Sequence, residues 1–383
     1  MMTLDDAAMT GGEAALRLQI RRGVCHVLFA YDVGMAIDLD ETERRIREMT
    51  QRATIKHKRR APRYFEYRPA PVRVTHEAAP VLIGRYQTGP TVDALLYDFG
   101  GVSITYHFPI DGPLGELVTL SADLYDNPVL LADSRRRVEE LVTAIQAAVR
   151  RPLFSDFVET YTIFQIEQLA PAPDVNDLVT THAAVIAQIL RSEGVALSQQ
   201  EIADATSVHI SFSARDVTII DWDAALVIDP DAEDVLAVLE FANVELLEMR
   251  HLDQQLDDAL DQAYEAIARR TWRRFALPGS SRADLRRIAR LQVDGAILFE
   301  GVNNALKLLG DQYLARVYRL ASQRFHLGEW DASILRKLET LESIYAKMSD
   351  VATGRRMEVL EWIIILLIAA SILIPFLSGA PTH

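Results

Sequence analysis

The chain changes character at Asp229-Pro230-Asp231-Ala232-Glu233. Asp229 is a favourable helix N-cap and Pro230 suits the first helical position, so this stretch predicts the start of a long helix. Upstream of it, β-branched and aromatic residues alternate with turn residues, whereas downstream no strand pattern is found. The sequence therefore predicts an α+β amino-terminal domain over residues 24–229 and a helical hairpin or bundle over residues 230–353.

Strands and helices are both expected upstream of this point. The first strand is predicted over Val24–Ile37, and a helix follows it with Asp40 as N-cap and Glu43 three residues later. Further predicted strands are Val81–Gln87, Asp93–Phe99, Val102–Phe108, Phe157–Ile166 and a hairpin of Val208–Phe212 with Asp216–Ile228. Further predicted helices are Asp133–Arg150 and Asp177–Arg191.

Downstream, apolar residues recur at alternating three- and four-residue steps, which is the pattern of a coiled coil. We call these positions the helical seam: Leu239, Leu246, Met249, Leu256, Leu260, Ile334, Leu338, Leu341, Tyr345 and Met348. Asp253 interrupts the seam with a charge. Two interpretations fit the pattern equally well, namely self-association of the chain and packing within its own helical bundle.

The most apolar run of the chain, Trp362–Leu377, lies in the carboxy-terminal residues 354–383. A transmembrane helix needs about 20 apolar residues, and residues 360–379 approach that length. Arg355 and Arg356 precede the run and are expected at the membrane interface. The residues predicted to lie in the bilayer are Trp362, Ile363, Ile364, Ile365, Leu366, Leu367, Ile368, Ile372, Leu373, Ile374, Phe376 and Leu377. The run predicts a transmembrane helix, and the alternative is a buried core helix.

The amino-terminal residues 1–23 have neither a basic start nor an apolar centre, so we expect a flexible segment rather than a signal peptide. Basic residues precede the apolar run and none follows it, which favours a cytoplasmic location for the bulk of the chain. The expectation is a single-pass, tail-anchored protein of a bacterial inner membrane.

Residues 44–73 form a basic segment within a chain whose net charge is −14. Only Glu48 and Glu66 oppose its positive charges, and aromatic residues are interleaved with them. A candidate patch for an anionic ligand is Lys56, Lys58, Arg59, Arg60 and Arg63. Three interpretations fit the segment: a face that is solvated or paired with the chain's own acidic groups, a site for anionic lipid, and a site for RNA.

Motifs of catalysis are absent: the sequence has no glycine-rich phosphate loop, no Gly-x-Ser-x-Gly, no His-Glu-x-x-His and no Cys-x-x-Cys. The single cysteine, Cys25, lies in an apolar run and is expected in the core. We therefore predict a non-enzymatic protein without a cofactor or a metal.

Two groups of polar residues could instead form a catalytic or a metal site. His251 has Glu248 and Asp253 nearby for acid–base work, but a hydrogen-bonded histidine between helices is favoured. The acidic group over 221–234 lacks the spacing of a calcium loop. We interpret it as exposed strand carboxylates followed by a helix cap, with Trp222 as a packed aromatic residue.

Four blocks together resemble the required-for-meiotic-nuclear-division family, a sporulation-protein-like domain of unknown function. They are His26–Leu39, Leu96–Ile104, Leu239–Arg250 with its Leu-Glu-x-Arg element, and Leu360–Ile368, which includes Leu-Glu-Trp. Phe99 departs from the tyrosine that the family usually has. The resemblance implies a bacterial member that is membrane-associated and oligomeric, without an established enzyme activity.

These observations predict a tail-anchored membrane scaffold that self-associates through the helical seam. The alternative is a membrane-associated adaptor that binds RNA or the ribosome through the basic segment. The expected partners are a lipid bilayer, a second copy of the chain, and anionic lipid or RNA at residues 44–73.

Overall fold

The computed structural model describes residues 18–50, 70–171, 174–272 and 312–344, together with positions 286, 290, 293, 346, 347, 364 and 365. The chain divides into two compact units. The first unit contains Met1–His251 and Ala296–Asp331, and the second contains Leu252–Gly295 and Ala332–His383.

Twelve strands are assigned within the described residues. They are β1 (Gln19–Asp32), β2 (Gly34–Ile37), β3 (Val72–Glu77), β4 (Leu82–Ile83), β5 (Tyr86–Gln87), β6 (Thr91–Leu96), β7 (Gly101–Pro113), β8 (Val149–Pro152), β9 (Val158–Ala170), β10 (His209–Ile210), β11 (Val217–Ile220) and β12 (Ala224–Ile228).

The helices follow the same chain order. They are α1 (Leu39–Thr50), α2 (Leu117–Leu124), α3 (Pro128–Ile145), α4 (Val175–Thr181), α5 (Ala183–Arg191), α6 (Gln199–Ala205), α7 (Glu233–Trp272), α8 (Gln312–Arg324) and α9 (327–344). Single 3-10 turns precede α2 and follow α3.

An eight-stranded sheet organises the first unit, in the order β10-β11-β12-β9-β1-β7-β6-β3. All neighbouring strands are antiparallel except β9 and β12, which are parallel. The long central strands β1, β7 and β9 are rich in β-branched and aromatic residues, which suit a pleated and buried surface. The first unit is thus an α+β domain built on one large sheet.

The two faces of this sheet differ because successive side chains point to opposite sides. One face of β1 carries apolar residues such as Val27 and is covered by α3, whose Ser134 hydroxyl lies 2.6 Å from the Tyr31 hydroxyl. The other face of β1 carries His26 and Leu28. The first half of α7 covers this second face, where Thr105 donates a hydrogen bond to Glu240 over 3.1 Å.

The helix α7 is buried on all sides from Val238 to Met249. The sheet lies on one side of it, and on another side Tyr318 of α8 donates a hydrogen bond of 2.6 Å to Glu245. A helix that is enclosed all round belongs to the core of a domain. The seam residues Leu239, Leu246 and Met249 are therefore core residues of the first unit.

Several element boundaries differ from the predicted ones for identifiable reasons. Helix α1 is capped by Asp38, whose carboxylate accepts from Glu41 N–H over 3.0 Å, rather than by Asp40. Helix α3 begins five residues before the predicted Asp133, because Asn127 caps it and Pro128 occupies its first position. Cys25 is fully buried, as predicted.

In the second unit, α7 continues from Leu252 and the described part of α9 runs to residue 344. Leu256, Ile334 and Leu341 are buried there. The charge that interrupts the seam is neutralised, because Lys337 lies 2.7 Å from Asp253. Tyr345 and Met348 lie outside the described residues.

The prediction of a carboxy-terminal transmembrane helix is wrong. Within the parts of the chain that the structure describes, no helix combines the length and the apolar character needed to cross a membrane. The physical reason lies in the run itself, because Trp362–Leu377 is shorter than the roughly 20 apolar residues of a span. Only Ile364 and Ile365 of this run are described; they are helical and 51% and 53% exposed.

The predictions of a tail-anchored chain and of a single-pass location in a bacterial inner membrane are wrong for the same reason. The remaining residues of the predicted span, and Arg355 and Arg356, lie outside the described residues.

Candidate functional site

A line of polar side chains crosses five neighbouring strands on the face of the sheet that α7 covers. Strand pairing sets His26 of β1 opposite His107 of β7, and Asp93 of β6 opposite Thr105. Pairing also aligns Thr75 of β3 with Asp93. We call the complete set the polar row: Arg73, Thr75, Asp93, Thr105, His107, His26 and Gln165.

The polar row is joined by hydrogen bonds from one end to the other. Thr75 Oγ1 donates to Asp93 over 2.6 Å, and Asp93 Oδ2 lies 3.2 Å from His107 Nε2. The Nδ1 atoms of His107 and His26 are 3.0 Å apart, and His26 Nε2 lies 3.1 Å from Gln165 Oε1. Gln165 Nε2 in turn donates to the Asp229 carbonyl oxygen over 3.2 Å.

These contacts determine where the protons lie. Burial, and then the charge of His107, lowers the pKa of His26 to about 3, so this ring is neutral near pH 7. Because Gln165 presents Oε1 to it, His26 carries its proton on Nε2 and accepts at Nδ1. His107 must then donate from both ring nitrogens, to His26 and to Asp93. The row therefore holds one proton more than two neutral imidazoles would carry.

Asp93 supplies the matching negative charge. Burial would raise the pKa of this carboxyl, but hydrogen bonds from His107 and Thr75, together with the charge of Arg73, lower it to about 2. Arg73 lies 3.4 Å from Asp93 and 3.7 Å from Glu240 of α7. The guanidinium group therefore bridges the sheet and the helix.

Five members of the polar row form one wall of a cavity of about 310 Å³, namely Arg73, Thr105, His107, His26 and Gln165. Its opposite wall is the start of α7 and the segment before it, from Pro230 to Glu240. Leu28, Ile163 and Leu236 contribute apolar surface. Arg73 Nε is a buried donor that has no hydrogen-bond partner among the described residues. The cavity thus combines apolar surface with cationic and hydrogen-bonding side chains.

The polar row is not among the sites predicted from the sequence, although a local pattern indicates it. Ser103, Thr105 and His107 are polar residues that alternate with apolar and aromatic residues along β7. Alternation of that kind places the three polar side chains on one face. His26 lies in a run whose apolar residues predict a buried strand, and that pattern does not indicate a functional histidine.

The basic segment is described only at its ends. At its start, Arg44 and Arg45 pair with Glu41, and Arg47 pairs with Glu43. At its end, Arg73 belongs to the polar row. These four cations are therefore paired with the chain's own carboxylates. The patch Lys56, Lys58, Arg59, Arg60 and Arg63 lies outside the described residues, and its binding to lipid or RNA stays a prediction.

His251 is hydrogen-bonded, but its partners lie on a loop and a strand rather than on a second helix. Its Nε2 lies 3.2 Å from Asp32 Oδ2, and its Nδ1 lies 3.2 Å from Ser155 Oγ. Glu248, one turn earlier on α7, is fully buried. Asp253 belongs to the second unit, where it pairs with Lys337.

Within the acidic group over 221–234, Asp221 has a structural role. Asp221 is fully buried and accepts hydrogen bonds from Arg191 over 2.6 Å and from Arg324 over 2.9 Å, which corrects its predicted exposure. Trp222 is 45% exposed rather than packed. Among the described residues, no group of three or more histidine, cysteine or carboxylate side chains is arranged to hold a metal ion.

Three of the blocks that carry the family resemblance meet in the first unit. Val33 N–H donates to the Gly100 carbonyl oxygen over 3.1 Å, and a Cβ on Gly101 would lie 3.4 Å from Glu248 Oε1. The fourth block, Leu360–Ile368, lies almost wholly outside the described residues. The resemblance itself and a bacterial origin stay predictions.

Comparison with known proteins gives one family. A family model described as "Uncharacterized protein MJ0711, N-terminal domain" matches residues 22–234. "Uncharacterized protein MJ0711" of Methanocaldococcus jannaschii is 24% identical over 242 residues, which cover 62% of this chain and 71% of that protein. No solved structure matches the chain. Because the matched segment, from within β1 to the start of α7, exceeds half of the chain, the protein belongs to the family of the MJ0711 N-terminal domain.

Proposed function

We propose that the chain binds a small polar molecule in the cavity between the polar row and the start of α7. The observation that carries this proposal is the convergence of charged and hydrogen-bonding side chains from four strands on a cavity of about 310 Å³. Small-molecule sites typically enclose about 300–1,000 Å³ and combine apolar lining with a few placed polar groups. The cavity meets both criteria.

The lining indicates the chemical class of the ligand. The guanidinium group of Arg73 lines the cavity and suits an oxygen acceptor. Asp231 and Glu233, both exposed, put carboxylates on the helix side of the cavity and favour an amine or another cationic group. Leu28, Ile163 and Leu236 suit a short apolar body between the two. An amino acid or an amino alcohol has this arrangement of groups.

The imidazole pair gives the site a further property. The rings of His107 and His26 meet at the Nδ1–Nδ1 contact of 3.0 Å, so a change of charge at one ring affects the other. A ligand that changes the charge near Arg73 will change the balance between Arg73, Asp93 and His107. Binding should therefore be detectable at the imidazole rings.

Ligand-observed NMR on the full chain tests the proposal. The probes are a set of amino acids, amino alcohols and matched fragments that lack either the oxygen or the amine. We expect saturable binding of the bifunctional probes, lost in Leu236→Trp because the larger ring fills the cavity. Thr105→Val should weaken binding without abolishing it, because it removes the hydroxyl that holds Glu240.

The matched control is Leu131→Trp, which makes the same substitution on α3 at a leucine that is 38% exposed. This variant should bind like the wild type. Binding that persists unchanged in Leu236→Trp, or the absence of binding by every bifunctional probe, would contradict the proposal.

Self-association through the helical seam and RNA binding through residues 44–73 stay predictions. The described seam residues that are buried, among them Leu239, Leu256 and Ile334, lie in the core of their own units. This burial favours the interpretation of the seam as internal packing.

A further inference from the structure

A second cluster of polar residues lies in the first unit, away from the polar row. It consists of Asp32 at the end of β1, Ser155 in the loop between β8 and β9, and His251 of α7. His251 Nδ1 is 3.2 Å from Ser155 Oγ, and His251 Nε2 is 3.2 Å from Asp32 Oδ2. A hydroxyl, an imidazole and a carboxylate that contact one another in this order form the arrangement that activates a serine nucleophile.

Backbone groups orient each member of this cluster. Phe157 N–H donates to Ser155 Oγ over 3.1 Å, which leaves the serine hydroxyl proton to point toward His251. Gly34 N–H donates to Asp32 Oδ1 over 3.0 Å, so Oδ2 is left to face the imidazole. Ser155 N–H also donates to the Asp32 carbonyl oxygen over 3.0 Å, which fixes the loop against β1. The arrangement is therefore held at both ends.

Burial determines the protonation of these groups. It lowers the pKa of His251, which keeps the imidazole neutral and able to accept a proton. It raises the pKa of Asp32 to about 7, so the carboxylate that orients the imidazole forms near neutral pH. Burial, followed by the charge of Asp32, raises the pKa of Glu248, which stays protonated beside the cluster. The nearby charges Asp156 and Arg250 are paired with Arg135 and Glu159.

The surroundings of Ser155 are apolar and close to the surface. Leu153 is 60% exposed, Phe154 is half-buried, and the ring of Phe157 lies 5.9 Å from that of His251. Ser155 itself is 5% exposed, one layer below Leu153 and the exposed Asp156. A short apolar group suits this setting better than a charged one.

We propose that Ser155 is the nucleophile of an acyl-transfer site that accepts esters with short apolar acyl groups. Ser155 Oγ forms a bond to the carbonyl carbon, and the bond from that carbon to the ester oxygen breaks. His251 takes the hydroxyl proton at Nδ1 and delivers it to the departing oxygen, which leaves as an alcohol. Water then hydrolyses the acyl-serine and releases the carboxylic acid. Asp32 acts as a positioning residue.

The test uses the full chain, a biotin-linked fluorophosphonate and p-nitrophenyl butyrate. Mass spectrometry should find the phosphonyl group on Ser155, and Ser155→Ala should abolish the label. His251→Gln keeps a polar side chain of similar size but removes the base, so labelling should slow by about 10²-fold or more. Ser213→Ala, which changes an exposed serine, is the control and should label like the wild type.

The role of Asp32 is tested separately by the pH profile of labelling. In the wild type, the rate should rise through about pH 7 as Asp32 ionises. The Asp32→Asn variant should be labelled more slowly, and its labelling rate should not rise through pH 7. Circular dichroism checks that this variant folds. Absence of label on Ser155 in the folded protein would overturn the proposal. Labelling of Ser155 that His251→Gln does not slow would overturn it equally.

Discussion

At the scale of the residue, the core of the first unit contains ionisable side chains whose protonation is set by burial and by neighbouring groups. Glu245 illustrates this on α7. Burial raises the pKa of Glu245 from 4.5 to about 8. The hydrogen bond from Tyr318 opposes this rise, and the charge of Asp331 adds to it. The carboxyl is therefore neutral in the folded protein at pH 7. Removing a charge in this way costs less than burying it unpaired.

Glu245 therefore makes stability depend on pH. Because its folded pKa lies above the unfolded value, its contribution is complete below about pH 4.5 and is lost as pH rises toward 8. The slope from this residue alone is at most about 1.4 kcal/mol per pH unit. Glu245→Gln keeps the acceptor for Tyr318, so the free energy of unfolding of this variant should decrease less with rising pH. Urea unfolding from pH 5 to pH 8 measures this dependence.

The control for this prediction is Glu139→Gln, which changes a carboxylate whose side chain is 56% exposed. Its stability should fall with pH as steeply as that of the wild type. If the stability of Glu245→Gln also decreases as steeply with pH as that of the wild type, Glu245 does not have the raised pKa.

At the scale of the element, the β6–β7 turn positions the sheet against β2. Gly100 has φ of 109°, and a Cβ there would lie 1.8 Å from the Gly34 carbonyl oxygen. Gly100→Ala should therefore destabilise the protein by about 2–4 kcal/mol, since both the backbone conformation and the contact are lost. Thermal unfolding measures the effect.

Gly115→Ala provides the comparison, because nothing lies within 4 Å of its added Cβ. This variant should change stability by less than about 1 kcal/mol. Equal effects of the two substitutions would show that the close approach of Gly100 and Gly34 is unimportant.

The sequence could predict elements but not the site that they assemble. Alternation and turn residues located most strands, and Asp229-Pro230 marked the approach to the helix that begins at Glu233. The pairing that brings His26 beside His107 joins residues 81 positions apart, and no local pattern encodes it. Likewise, the helical seam has the same period whether a helix packs within its own chain or against another copy.

At the scale of the whole molecule, the first unit is completed by a segment distant in sequence. Arg324 of α8 donates to the buried Asp221 over 2.9 Å and to Asp204 over 2.7 Å. Arg324→Met should lower the free energy of unfolding by about 3 kcal/mol, because the buried Asp221 would lose one of its two cationic partners. Hydrogen exchange should then accelerate in residues 312–324.

Arg136→Met is the control, since this arginine is 52% exposed and its ion pairs lie on the surface. This substitution should lower the free energy of unfolding by less than about 1 kcal/mol. If exchange in residues 312–324 is equally slow in both variants, the pairing of Arg324 with Asp221 does not hold α8 in place.

The central claim is that the polar row is the wall of a ligand site, and imidazole NMR tests it most directly. A long-range ¹H–¹⁵N spectrum should show His26 neutral with its proton on Nε2 and His107 protonated on both nitrogens. Titration with the strongest bifunctional probe should shift both rings saturably and leave the rings of His209 and His326 unchanged. A probe that binds without shifting His26 and His107, or that shifts them equally in Leu236→Trp, would contradict the account.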